Sequence, residues 1–165
     1  MATMIASRGY FECAKIAALL MNLLKFIAVA EAMAGLSKDP RTRVGCVIVD
    51  DDASVLVTGF NGFARGVKDD PDRYADRSVK LKLICHAEAN AISQAARTGV
   101  RLKGSSIILT ELFPCSNCAN LLIQAGIRRV YAPVMRGDHS PEWFHEKEIS
   151  DLLFSEAGVE VVEYA

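Results

Sequence analysis

Two short stretches, "CHAEANAI" (85–92) and "PCSNCANLLIQAGI" (114–127), constrain this chain more than any bulk property does. Each places metal-liganding residue types where a helix begins. His86 opens an alanine-rich run that Gly99 ends, and Cys115 and Cys118 open an apolar run that Gly126 closes. Between them, "SSIILT" (105–110) reads as a strand, apolar and rich in isoleucine. Right-handed crossovers carry two such helices to one face of a sheet with their starts adjacent. Cys115 and Cys118, three residues apart at a helix start, project from one face. The positive end of the helix favours their thiolate forms. One imidazole and two thiolates make a three-ligand zinc set with a fourth position open, the arrangement of a catalytic site and not a structural one.

That charge balance gives Glu88 a purpose. Two thiolates largely neutralise Zn²⁺, so a water on the ion is acidified less than it would be by a site of three neutral histidines. A carboxylate is then needed to take the proton. Glu88 lies two residues beyond His86, near enough to reach that water but offset around the helix so that it is not an equivalent ligand. Once protonated, it can pass the proton on to a departing group. A C-x-x-C pair by itself would equally suit a buried or redox pair. Together with H-x-E and the Pro114–Cys115 junction, it reproduces the signature of the zinc nucleobase deaminases.

The rest of the chain supplies the frame. Its 165 residues fit a single domain, with residues 1–24 an N-terminal helical extension. Residues 10–36 read as helix, 37–43 as a loop punctuated by Pro40, and 44–50 and 54–61 as a hairpin turning at Asp50 to Asp52. Residues 62–82 read as a long polar surface segment, and long loops of that kind tend to be functional. Helix 86–97, strand 105–110, helix 115–125, strand 128–134, helix 140–158 (Ser140 as cap, Pro141 next) and strand 159–164 follow. A hairpin followed by β-α-β crossovers predicts a mixed sheet covered by helices.

Charge and cysteine use narrow the function classes. The formal net charge is -1, with no block of either sign, which disfavours a nucleic-acid partner and favours a small-molecule substrate. Cysteines 13, 46, 85, 115 and 118 cannot all pair, and Arg8, Glu12 and Lys15 break the N-terminal stretch before any signal-peptide core, so the cytoplasm is the expected compartment. The apolar "IAALLMNLLKFIAVAEAMAGL" is interrupted by Lys25 and Glu31, too early for a membrane span. It reads as one or two buried helices, in the core or at a subunit interface.

From about residue 25 to 165 the chain resembles the deoxycytidylate deaminases of the cytidine deaminase-like superfamily. "SKDPRTRVGCVIVD", "TGFNGFARGV", "DDPDRYADR", "CHAEANAI", "LFPCSNCANLLIQAGIRRV" and "LLFSEAGVEV" follow that family's order and spacing. The resemblance implies a three-layer α/β/α sandwich around a mixed five-stranded sheet, and hydrolysis of dCMP to dUMP and ammonia. It implies zinc ligation by His86, Cys115 and Cys118, with Glu88 as the acid/base. Asn61 would hold the base or sugar, or else serve as a turn residue beside Gly59 and Gly62. Lys38, Arg41, Arg43 and Arg65 are the candidates for a 5′-phosphate, each with a solvated surface charge as the alternative. The resemblance further implies homo-oligomers, often hexamers, with dCTP and dTTP as effectors and Mg²⁺ accompanying the nucleotide. Cys46 stands where the family usually has Ala and, with Cys13 and Cys85, reads as core; His139 and His145 read as surface groups or substrate-lid contacts. Some relatives carry a second zinc with ligands ahead of the H-x-E motif. No histidine precedes His86, so one zinc per chain is expected. Two other readings remain: the same zinc chemistry on another nucleoside, nucleotide or purine base, and a non-enzymatic zinc-stabilised subunit.

Overall fold

The computed structural model describes residues 22–137 and 139–165, so the expected N-terminal extension and Cys13 lie largely outside the described residues. Helix α1 (22–34) precedes the hairpin β1 (Gly45–Val49) and β2 (Val55–Phe60). A short strand β3 (Gly62–Phe63) is followed by two short helices, α2 (Pro71–Ala75) and α3 (Arg77–Leu83), and by β4 (Ile84–Cys85). Then come α4 (Ala87–Thr98), β5 (Ser106–Leu109), α5 (Ser116–Ala125), β6 (Arg129–Pro133), α6 (Pro141–Ala157) and β7 (Glu160–Tyr164).

The main sheet has the order β2-β1-β5-β6-β7. Strand β1 runs antiparallel to both its neighbours, while β5, β6 and β7 are parallel, so the sheet is mixed as expected. Side chains alternate across it. Cys46, Ile48, Val57, Ile107, Leu109, Val130 and Ala132 pack on one face with Ala87, Ala91, Ala119, Leu122 and Phe154 of α4, α5 and α6. Val47, Val49, Ile108 and Tyr131 face the other way, against Phe26 and Ala30 of α1. Three layers result, and Cys46 is a core residue.

Two glycines set how closely the helices approach. A Cβ at Gly45 would lie 1.9 Å from the Ala30 carbonyl oxygen of α1, and one at Gly59 would lie 2.3 Å from the Ala87 carbonyl oxygen of α4. The hairpin turn is tied by the Asp50 carboxylate, which accepts from the backbone N–H groups of Asp52 and Ser54.

One expectation is corrected. The segment 62–82 is not an open loop, because it carries its own caps. Asp70 accepts from the Asp72 N–H with Pro71 in the first turn of α2, and Asp76 accepts from the Ser78 and Val79 N–H groups to start α3. Tyr74 then stacks on Phe63 with ring centroids 4.1 Å apart, docking α2 on the small β3–β4 sheet. Ser140 does sit at the N-cap of α6, but its side chain makes no cap hydrogen bond to the helix.

Because the Gly45 position is filled by helix backbone, Gly45→Ala must push α1 off the sheet. The expected loss is about 3 kcal/mol, as for overpacked cores, read as a lower denaturant midpoint with an unchanged slope.

Candidate active site

The start of β1, the end of β2 and the end of β5 all emerge at one end of the sheet, since Gly45 pairs with Phe60 and Cys46 with Leu109. Cross-links bind these three exits together. The Thr110 hydroxyl accepts from the Gly45 N–H at 2.9 Å. The Asn61 side chain accepts from the Val44 N–H and donates to the Thr42 carbonyl, both at 2.9 Å. Above this end opens a cavity of about 680 Å³.

His86 and Cys115 sit at the N-cap positions of α4 and α5, in extended backbone with ψ of 158° and 166°. Neither side chain caps its helix, which leaves both to point at a common centre. Their ligand atoms and the Cys118 thiol all lie within 4.8 Å of one another. The His86 Nδ1 is 3.5 Å from each sulfur. Bonds of about 2.1 Å to nitrogen and 2.3 Å to sulfur, meeting at a tetrahedral angle, put N and S about 3.6 Å apart, so the donor set fits a zinc ion. Hydrogen bonding from Cys118 and His86 draws the Cys115 thiol down to about 4 despite its burial, which favours its thiolate form. The Cys118 thiol is pushed up by its bond to that thiolate and by burial. His86 titrates above its usual value because it is bonded to Cys115.

Glu88, only 4% exposed, lies beside these groups in the cavity lining. Burial raises its pKa, partly opposed by the nearby His86.

The other expected site residues divide. Asn61, Arg41 and Arg43 line the cavity, Arg43 with its Nε on the Asp39 carbonyl. Lys38 and Arg65 do not. Both line a separate cleft of about 500 Å³, where Lys38 pairs with Asp69 at 2.7 Å. Asn61 lines the cavity and also ties residues 42 and 44 together through its side chain. Of the two later histidines, His139 lines the cavity with Trp143, while His145 is a surface group facing Glu148. The sequence reading missed Arg77 and Lys80 of α3 and Trp143 of α6. The two Asp caps that build α2 and α3 were the available signal for the first two.

Asp39 is 1% exposed and anchors the cavity loop 37–43. It accepts from the Arg41 and Thr42 N–H groups and pairs with Lys80 at 2.6 Å. Glu111, in the loop after β5, adopts φ 64° at the centre of a tight turn closed by Leu112 N–H on the Thr110 carbonyl.

A buried carboxylate set beside an imidazole and two thiols, on a mixed sheet of this order, defines a metal-dependent hydrolase of the nucleobase deaminase class. The model of the cytidine and deoxycytidylate deaminase zinc-binding region matches residues 21–134, and the chain belongs to that family. It is 43% identical over 83% of its length to an uncharacterized deaminase in the luxG 3′ region of Aliivibrio fischeri, covering 89% of that protein. It is 39% identical over 81% of its length to the deoxycytidylate deaminase of Homo sapiens, covering 74% of it. Among solved structures, the dCMP deaminase of cyanophage S-TIM5 in complex with dCMP and dUMP superposes with a TM-score of 0.65 at 24% identity, over 85% of this chain and 94% of that one, which shows the shared fold.

Burial works to raise the Asp39 pKa, but the bonds from Lys80, Arg41 and Thr42 prevail and hold it below its ordinary 3.8. A depressed folded pKa means stability present above the unfolded value and lost as pH falls through the folded one. Asp39→Asn should therefore cost about 3 kcal/mol at pH 7, the price of a broken buried ion pair. Urea titrations of both proteins should show that gap constant above about pH 5 and closing below pH 3.8.

Proposed function

We propose that this chain hydrolyses the 4-amino group of dCMP, giving dUMP and ammonia and so supplying dUMP for thymidylate synthesis. The observation that carries the reading is the convergence of His86, Cys115 and Cys118 within 4.8 Å beside the buried Glu88, in a cavity walled by arginines. His86, Cys115 and Cys118 would hold one zinc ion per chain. Bound there, zinc supplies Lewis acidity that lets water act as a nucleophile near neutral pH.

The chain's own groups do the rest. Glu88 takes a proton from the attacking water as oxygen bonds to C4 of the base, delivers it to N3, and then carries the second proton to the amino group, which departs as ammonia. Its burial keeps the carboxyl out of bulk water, so the proton is held for return and not lost. Asn61, already oriented by the Val44 and Thr42 backbone, offers a preset amide to base or sugar. Arg41, Arg43 and Arg77, exposed along the cavity wall, supply the cations that a 5′-phosphate requires, and Lys80 is held back by Asp39. The non-enzymatic alternative has no use for Glu88.

Lys38 and Arg65, also expected as phosphate ligands, line a separate cleft where Lys38 is already paired with Asp69, so Arg41, Arg43 and Arg77 are the better-placed cations. The family resemblance supports dCTP and dTTP as effectors, with Mg²⁺ accompanying the triphosphate, in a homo-oligomer read as a hexamer. Exposed apolar side chains such as Leu24, Leu121 and Leu152 support subunit contacts. Among the described residues no helix is long and apolar enough to cross a membrane, and a diffusible nucleotide substrate supports the cytoplasm as its place of action.

Ammonia release from a panel of cytosine, guanine and adenine substrates should be fastest with dCMP, with deoxycytidine far slower for want of the phosphate. Glu88→Gln should keep its zinc yet lose at least two to four orders of magnitude in kcat; retained turnover would remove this mechanism. Added dCTP should lower the half-saturating dCMP concentration, and flat kinetics would remove the effector reading.

A further inference from the structure

Helix α5 begins in an unusual way. An N-cap side chain ordinarily satisfies one of the exposed N–H groups of the first turn. At Cys115 that side chain is turned to the donor cluster and makes no cap bond. The cap comes from another helix. The Glu146 carboxylate of α6 accepts from the Ser116 N–H at 2.8 Å. One turn further along α6, the buried Ser150 hydroxyl donates to the Pro114 carbonyl at 2.9 Å. The same side of α6 continues the contact: Phe154 meets Phe113 edge to face at 6.2 Å, and the Trp143 ring lies 6.2 Å from that of His86. Lys147 lies over the Phe113 ring at 4.4 Å.

The two hydrogen bonds grip the two peptide planes on either side of Cys115. The plane between residues 114 and 115 sets φ of Cys115, and the plane between 115 and 116 sets its ψ. With both held, the direction of the Cα–Cβ bond is fixed, and only one rotatable bond remains before the sulfur. Glu146 also puts negative charge at the positive end of α5, which stabilises the helix start.

We infer that Glu146 and Ser150 are positioning residues that hold Cys115 in its metal-binding orientation from α6. This rests on the reading that Cys115 is a zinc ligand. Glu146 supplies from another helix the cap that a ligand at the N-cap cannot supply itself, and Ser150 holds the carbonyl that precedes the ligand. Neither needs to touch substrate. Partners of this kind, one bond removed from a metal ligand, typically change metal affinity or activity by about 10- to 100-fold when lost.

The test compares wild type with Glu146→Ala, Glu146→Gln and Ser150→Ala. Zinc release to a chromogenic chelator, the thiolate-to-metal absorption of the Co²⁺-substituted proteins, and melting of the metal-free chains are all measured. Glu146→Ala should release zinc about tenfold faster or more and alter the Co²⁺–thiolate band. Glu146→Gln, whose amide oxygen can still accept from Ser116, should stay within about threefold of wild type. Ser150→Ala should behave like Glu146→Ala, and in both variants kcat should fall while KM for dCMP holds. A Glu146→Ala protein with wild-type zinc release and an unchanged Co²⁺ spectrum, whatever its melting temperature, would overturn the inference and leave the zinc reading standing. A wild-type chain that takes up no zinc would sink the zinc reading itself, and the inference with it.

Discussion

The electrostatic problem at the meeting of α4 and α5 governs this molecule. Two thiols, an imidazole and a carboxylate share one small, largely buried volume. The two thiols are not independent there: the contact that holds Cys115 down pushes Cys118 up. Like charges so close together are costly in a medium that screens poorly. A divalent ion relieves the cost at once, which is why the grouping reads as a metal site and not as a redox pair. The His86 Nδ1, equidistant from both sulfurs, completes the cage.

Everything around the cluster serves to hold that arrangement in place. Strand β1, antiparallel to both β2 and β5, brings three loop exits to one end of the sheet. Thr110 and Asn61 stitch the exits together through backbone groups, and the Asp39–Lys80 pair ties loop 37–43 to α3. The cavity wall is therefore built from short-range polar contacts laid over an apolar sheet. A substrate meets groups already oriented, at little further cost in conformational entropy.

The main sheet and the donor cluster were legible in the sequence because they rest on local signals. Gly99, Gly126 and Gly158 end their helices in the left-handed conformation, as glycine permits. The five main strands fall within a residue or two of their apolar runs. His86, Cys115, Cys118 and Glu88 announce themselves by residue type and spacing. The phosphate candidates were less legible, because a surface arginine carries no pattern that says which way it points. Lys38 lies three residues from Arg41, yet it turns to Asp69 in the other cleft, a partner 31 residues away. The short helices α2 and α3 were hidden by their polarity: their starts depend on single aspartates, and their burial on one stacked pair, Phe63 with Tyr74.

Gly59 carries a consequence beyond the packing it permits. The first turn of α4 rests on the bare backbone of β2 there, with the Ala87 carbonyl where a methyl group would otherwise stand. Ala87 lies between His86 and Glu88 in the chain. The height of that contact thus sets how far both side chains reach into the cavity, and a missing carbon atom works as a spacer gauge for the chemistry above it. Drift at this position would change the depth of His86 and Glu88 while both side chains were still present, so inspection of the motif alone would not reveal the damage.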